Sequence, residues 1–346
     1  MKGKRLSIKD IAAALNVSVT TVSFVLNGKA KEKRISDEVS KRVLEYCKKV
    51  NYKPNILAQS LRTGESKILV FMVEDISNYF FAKLARYFED LAYTNGYKML
   101  FCSNENSDKK SNELIRLFSE RHVDGYIIVP SPNLSEKVKE LEEQGIPVVL
   151  LDRYFEGFEA DYVGIYNDKA SEMGMKHLVA NGFTKTLFVS TQSTQTQMLG
   201  RLQGYKNAAE ANKMDEKILL LSYDFLEKEL VKEELKKFFE ANNDADSILF
   251  ATNYLAKLGL SVLKNISSTK LHQMGIITFD NHYLFDITCP SITAIDQPLE
   301  AMASETMNLL FNKLKNRNMP PEPKSVVLDT QLIVRDSTLP IAERTL

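Results

Sequence analysis

The sequence predicts two architectures in one chain, an all-α head over the first 64 residues followed by an α/β core of parallel sheets with helices on both faces. Three observations predict it. Short capped helical segments fill residues 7–64, apolar strand-like runs alternate with helical ones from Lys67 onward, and the charge divides at the same place. Strands that alternate with helices need crossover connections, and these produce parallel sheets covered on both faces.

The head comes first. Ile8, Ile11, Ala12 and Leu15 fall on one face of a short helix with Ser7 as its N-cap. Asn16-Val17-Ser18 breaks it, since Asn tolerates the left-handed conformation of a tight turn, and Ser18 caps a second helix from Val19 to Asn27, ended by Gly28. Two helices joined by three residues make a helix-turn-helix. Val22, Val25 and Leu26 face inward, leaving Val19, Thr20, Thr21, Ser23, Phe24 and Asn27 toward solvent. Hydroxyls and an amide are ordinary on a solvated helix, and they are also the groups that bond phosphates and base edges in a major groove.

A third helix starts at Ser36, with Asp37 and Glu38 in its first turn and Val39, Val43, Leu44, Cys47 and Val50 as its apolar face. The basic loop before it, Lys29 to Arg34, is placed to lie along a phosphate backbone. Residues 1–62 hold fourteen Lys and Arg against five Asp and Glu, a net +9; with 45 of each in the 346-residue chain, the remainder carries −9. A basic head on an acidic body is the footprint of nucleic-acid binding. Asn55 to Gly64 then reads as a helix too short to persist alone. It is a linker with a helical turn, or a hinge that folds when two copies meet on DNA and wedges Leu61 into the minor groove.

In the core, strand candidates are 68–73, 98–102, 125–129, 148–151, 187–190, 218–222, 247–251 and 275–279, with helical stretches at 80–94, 112–121, 135–144, 169–180, 199–211, 226–240 and 254–263. Eight strands make one large sheet or two lobes, and the alternation does not choose between them. The chemistry is sparse. Cys47, Cys102 and Cys289 and the four histidines have no metal-type spacing, and no phosphate-cradling Gly-rich loop or Gly-x-Ser-x-Gly elbow is present. Neither metal, cofactor nor catalysis is expected. No basic-flanked apolar start and no ~18-residue apolar run occurs, so a cytoplasmic location is expected.

The runs SIKDIAAALNVSVTTVSFVLNG and RISDEVSKRVLEYCKKVNYKPNILAQSLRTGES resemble the DNA-binding head and hinge of the lactose-repressor (LacI/GalR) family of bacterial regulators, and the resemblance continues along nearly the whole chain. It implies a helix-turn-helix over 1–53, a hinge helix over 54–64 and a two-lobed, periplasmic-binding-protein-like core over 65–346. The lobes would take about 65–163 with 296–325, and about 164–295 with 326–346, the chain crossing near Tyr162–Ile165, Ala294–Gln297 and Ser325–Leu328. The implied DNA contacts are Ser7, Ser18, Val19, Thr20, Thr21, Ser23, Phe24, Asn27, Lys29 and Arg34, with Ala58, Leu61 and Arg62 at the hinge. Phe24 departs from the Arg or His of many members, which removes a bidentate contact to guanine.

The resemblance also implies an effector cleft beyond the strand ends. Asp75, Tyr79 and Phe80 follow the first core strand, Arg153 follows the fourth with Asp152, and Gln197 lies just ahead of the helical stretch 199–211 that holds Arg201, which matches the family arginine that binds hydroxyls or a carboxylate. Phe225, Asn253 and Asp280 complete a set typical of a carbohydrate-like ligand. Tyr166 stands where many members have Asp, and Gln192–Gln197 is rich in amides and hydroxyls. The expectation is a homodimeric repressor of carbohydrate uptake or catabolism genes on near-palindromic operator DNA. The chain ends without an apolar heptad segment, which favours a dimer over a tetramer. The alternative is a two-lobed solute-binding or sensor protein without operator function.

Overall fold

The computed structural model describes residues 6–52, 64–222, 228–317 and 322–340. The chain divides into two compact units at Ser66/Lys67. The expected hinge helix lies outside the described residues.

The head is three helices, α1 (Ile8–Leu15), α2 (Val19–Leu26) and α3 (Asp37–Lys49). Ser7 and Asp10 form a reciprocal capping box on α1, and Asn16 turns the chain with φ 50°. Ser18 and Ser36 cap α2 and α3 by accepting from Thr21 N and Val39 N. The axes of α1 and α2 meet at 110°, the helix-turn-helix angle. Ile11, Ala12, Val22, Val25, Val43 and Cys47 form the core, and Arg42 donates to the Leu15 carbonyl at 2.8 Å. The expectation for Leu44 is corrected: it is 51% exposed, and Tyr46 packs inward instead. At 100° per residue the face through Val39, Val43 and Cys47 passes over 46 and 50 and leaves 44 outside.

The core is two six-stranded sheets. The first has the order β11-β5-β4-β3-β1-β2, with β1 (Ile68–Val73), β2 (Lys98–Ser103), β3 (Gly125–Ile128), β4 (Val148–Leu151), β5 (Tyr162–Ile165) and β11 (Ser325–Leu328). The second, β12-β10-β9-β8-β6-β7, holds β6 (Thr186–Thr191), β7 (Lys217–Leu221), β8 (Ser247–Phe250), β9 (Gly275–Phe279), β10 (Thr293–Asp296) and β12 (Gln331–Ile333). All pairings are parallel except β10 with β12. The central strands are buried along their whole length, as sheets covered on both faces require. No single described helix is long and apolar enough to cross a membrane.

The helices of the core are α4 (Tyr79–Thr94), α5 (Asp108–Ser119), α6 (Ser135–Glu143), α7 (Asn167–Ala180), α8 (Thr196–Ala211), α9 (Lys228–Ala241), α10 (Asn253–Ile266), α11 (Ser268–Gln273), α12 (Leu284–Ile287) and α13 (Leu299–Lys315). The chain passes between the sheets three times, after β5, after β10 and after β11. Each of the first two passages leads into a helix of the other lobe. α7 packs on α8 and the second sheet, and α13 packs on α4 and the first. The contact of α7 with α8 is backbone to backbone, since a Cβ on Gly204 would lie 2.1 Å from the Asp168 carbonyl oxygen. That close approach seats the first turns of α8 beside Asn167.

Candidate functional site

On the head, Val19 and Thr20 are exposed in the first turn of α2, while Thr21 is drawn back to Ser18, their hydroxyls 2.8 Å apart. Asn27 donates to the Ser23 carbonyl at 2.6 Å, one turn back, so Ser23 and Asn27 sit together farther along the helix. Phe24 is half-buried, and Lys33 of the basic loop stands over its ring at 5.7 Å. Lys29 and Arg34 are exposed, Arg34 with φ 53°. Ser7 caps α1. Ala58, Leu61 and Arg62 lie outside the described residues.

The second site is a cavity of about 50 Å³ where the strand ends of both lobes meet, lined by Glu74, Asn78, Phe80, Phe81, Asp152, Arg153, Thr191, Gln195, Gln197, Met198, Arg201, Thr252, Tyr254, Asp280 and Gln297. Its members follow strands directly or open helices. Glu74 follows β1, Asp152 follows β4, Asp280 follows β9 and Gln297 follows β10, while Asn78 caps α4, Gln197 and Arg201 lie in the first turns of α8, and Thr252 caps α10. Asp152 and Asp280 occupy equivalent places in the two lobes with nearly the same left-handed backbone, φ 67° and 68°. Aspartate tolerates that conformation better than most residues.

On the first lobe the chemistry is ionic. The Arg153 guanidinium pairs with Glu74, donates to Asn106 Oδ1 at 2.9 Å, and lies 3.6 Å from the Asp152 carboxylate. Burial pushes the Asp152 carboxyl up from its usual range, against the pull of Arg153 and Arg201. Burial likewise raises the Tyr254 phenol to about 12, so it stays protonated.

The second lobe is built from amides. Asn253 donates to Asp280 Oδ2 at 2.7 Å and Gln297 to Asp280 Oδ1 at 2.7 Å, fixing both carboxylate oxygens. Arg201 donates from Nε to Asn167 Oδ1 at 2.8 Å and from Nη1 to the Ala251 carbonyl at 2.7 Å, and its guanidinium lies 4.1 Å from the Phe279 ring centre. Gln197, Asn253 and Gln297, each 4% exposed or less, keep one buried amide oxygen without a hydrogen-bond partner. Buried acceptors of this kind are costly unless a donor arrives. The lobes also touch across the cavity: Gln195 donates to Asn106 Oδ1 at 2.7 Å, and Asn253 to Asn78 Oδ1 at 3.1 Å.

Of the residues expected at a cleft, Phe80, Arg153, Gln197, Arg201 and Asp280 line the cavity, and Asn253 reaches it through Asp280. Asp75 is exposed and accepts from Ser77, and Tyr79 faces a separate groove of about 590 Å³, its ring 4.3 Å from that of His282. Phe225 lies outside the described residues. Glu74, Asn78, Gln195 and Gln297 were not anticipated individually. The signal available for two of them was positional, a polar residue directly after an apolar strand.

Residues 7–55 match the profile of bacterial regulatory proteins of the lacI family, and residues 175–338 that of a periplasmic binding protein-like domain. The chain is 30% identical over 336 residues to the HTH-type transcriptional regulator RegA of Clostridium saccharobutylicum, covering 96% of this chain and 99% of that protein. It is 28% identical over 332 residues to the ribose operon repressor of Halalkalibacterium halodurans, covering 96% and 97%. The fold is that of a LacI-family regulator from Silicibacter pomeroyi (TM-score 0.79, 19% identity, 96% and 99% covered). It is likewise that of an Enterococcus faecium LacI-family regulator with bound ribose (0.69, 22%, 79% and 99%) and of Cra from Pseudomonas putida with fructose 1-phosphate (0.70, 18%, 78% and 98%). The chain belongs to the LacI family of bacterial regulatory proteins, and its helix-turn-helix head and two-lobed core are those of a DNA-binding transcription regulator.

Proposed function

We propose that this regulator is a homodimeric repressor of carbohydrate uptake or catabolism genes, switched by a small hydroxylated effector held between the lobes. The observation that carries the reading is the pair of buried, cavity-lining amide oxygens without donors, on Gln197 and Gln297, in the same lining as Arg201 and Asp280. Hydroxyl groups supply the missing donors and accept from the guanidinium in return. Effector and operator affinities are coupled through the arrangement of the lobes, and by linkage each changes the other by the same factor.

In this reading residues 1–53 bind DNA, 54–64 form the hinge and 65–346 the sensor, and the protein works in the cytoplasm without catalysing a reaction. The names of its relatives support regulation over catalysis. Two copies suit a near-palindromic operator, because one small head supplies few base contacts. The exposed apolar side chains of edge strand β2, Leu100 at 37% and Phe101 at 38%, support a second copy covering that edge.

The test is Arg201→Ala in the full-length chain. Operator binding without effector is expected to persist and the response to effector to vanish; an unchanged response would refute the cleft as the effector site.

A further inference from the structure

Solved relatives of this fold hold neutral sugars in three cases and a phosphorylated one in another, so the fold alone does not select between them. The charge of the cleft does. We infer that the effector is an uncharged, hydroxyl-rich molecule and that Glu74 is the residue that turns away phosphorylated and carboxylated analogues. This rests on the reading of the cavity as the effector site.

The ionisable lining comprises three carboxylates, Glu74, Asp152 and Asp280, and two guanidiniums, Arg153 and Arg201, with Tyr254 protonated. The balance is −1, or zero if buried Asp152 holds its proton. In neither state is there net positive charge to receive an anion. Each guanidinium is already engaged: Arg153 by Glu74, Asp152 and Asn106, and Arg201 by Asn167 and the Ala251 carbonyl. Two of the helix N-termini that open here are answered within the protein, Asn78 accepting from Phe80 N and Thr252 from Leu255 N, while α8 starts after Gln195 without a side-chain cap. An anion brought into this small cavity loses its water and meets a lining whose carboxylates equal or outnumber its guanidiniums, with Arg153 held by Glu74. What the lining offers a ligand is acceptors, the amide oxygens of Gln197 and Gln297. A neutral polyol donates to them at no electrostatic cost.

Glu74 is decisive because it pairs with Arg153, the one cation besides Arg201 among the described residues of the lining. Glu74→Gln keeps the shape and takes the nearest carboxylate charge from Arg153, leaving the lining at zero or +1. The experiment is calorimetric titration of the full-length chain and of Glu74→Gln, at equal ionic strength, with ribose, ribose 5-phosphate and inorganic phosphate. Both proteins carry the same basic head, so a difference between them belongs to the core. Wild type is expected to give no saturable heat with either anion, while Glu74→Gln gains one-to-one phosphate binding, at least about tenfold tighter than wild type. Glu74→Asp, which keeps the charge, is expected to behave as wild type. No gain of phosphate binding in a folded Glu74→Gln chain overturns the inference. Wild-type binding of ribose 5-phosphate that Arg201→Ala abolishes also overturns it, while leaving the cleft as the effector site. Should Glu74→Gln not fold, the wild-type titrations still decide: saturable binding of either anion refutes the inference, and its absence beside Glu74→Asp behaving alike upholds it. Ribose binding that persists in Arg201→Ala removes the cleft reading and this inference with it.

Discussion

The two lobes of the core share one strand order and place an aspartate with the same left-handed backbone after the fourth strand of each, yet they line the cavity with different chemistry. In the first lobe Asp152 stands in an ionic cluster with Arg153 and Glu74. In the second, Asp280 is clasped by Asn253 and Gln297, and unfilled amide oxygens surround it. Repetition of topology therefore does not repeat function: equivalent positions in the frame carry an ionic wall on one side and a hydrogen-bonding wall on the other. The lobes also end differently, with β11 parallel to β5 and β12 antiparallel to β10.

Substitutions that break this asymmetry have graded effects. The largest is expected from Arg201→Ala, which strands Asn167 and the Ala251 carbonyl in the second lobe; urea unfolding is expected to reveal a loss of about 3 kcal/mol along with the lost effector response. Next is Gly204→Ala, whose Cβ meets the Asp168 carbonyl; separation of α7 from α8 is expected to cost about 2 kcal/mol and to weaken effector binding, because Asn167 and Arg201 lie on the two helices being parted. An unchanged melting temperature would mean that the two helices yield freely.

Asn253→Ala sharpens the contrast by removing one clasp of Asp280 and the contact with Asn78. Effector affinity is expected to fall about tenfold, whereas Asn106→Ala, on the ionic wall, is expected to change it only about two- to threefold; equal losses by titration would erase the division of labour.

The smallest effect concerns pH. Burial raises the folded-state pKa of Asp152 above its unfolded value, so the folded chain holds this proton to higher pH. Stability from this group falls as pH rises from the ordinary aspartate range through the raised value. Asp152→Asn is therefore expected to raise the melting temperature relative to wild type by about a degree more at pH 8 than at pH 4. A difference of the opposite sign would place the folded pKa below the ordinary one.

Much of this was legible in the sequence because the responsible forces are local. Ser7, Ser18 and Ser36 cap helices through bonds three residues away, and Asn16 turns the chain by itself. Most buried strands announced themselves as unbroken apolar runs, whereas β5 and β10, with Gly164 and Thr293 among their four residues, were not among the strand candidates. What escaped notice had no local signature. Helix α13 buries Thr306 and Lys313 among its apolar residues, and Lys313 is tolerated only because Glu142 and Asp161 reach it at 2.7 and 2.9 Å from elsewhere in the chain. Strand β12 has three residues and takes its identity from pairing with β10. In the cleft, Arg201 and Asp280 stood out through family resemblance, whereas Glu74 and Gln297 acquire their roles from partners 79 and 17 residues away. Such pairings are set by the tertiary fold, and residue type alone does not declare them.

The central claim, that a basic head and a sugar-type cleft act as one regulator, is tested most directly by genome-wide binding of the tagged full-length protein. The account predicts sharp peaks sharing a near-palindrome beside sugar transport and degradation genes, with occupancy that changes when the cognate sugar is supplied. Binding without a shared sequence, or peaks indifferent to every sugar, would contradict it.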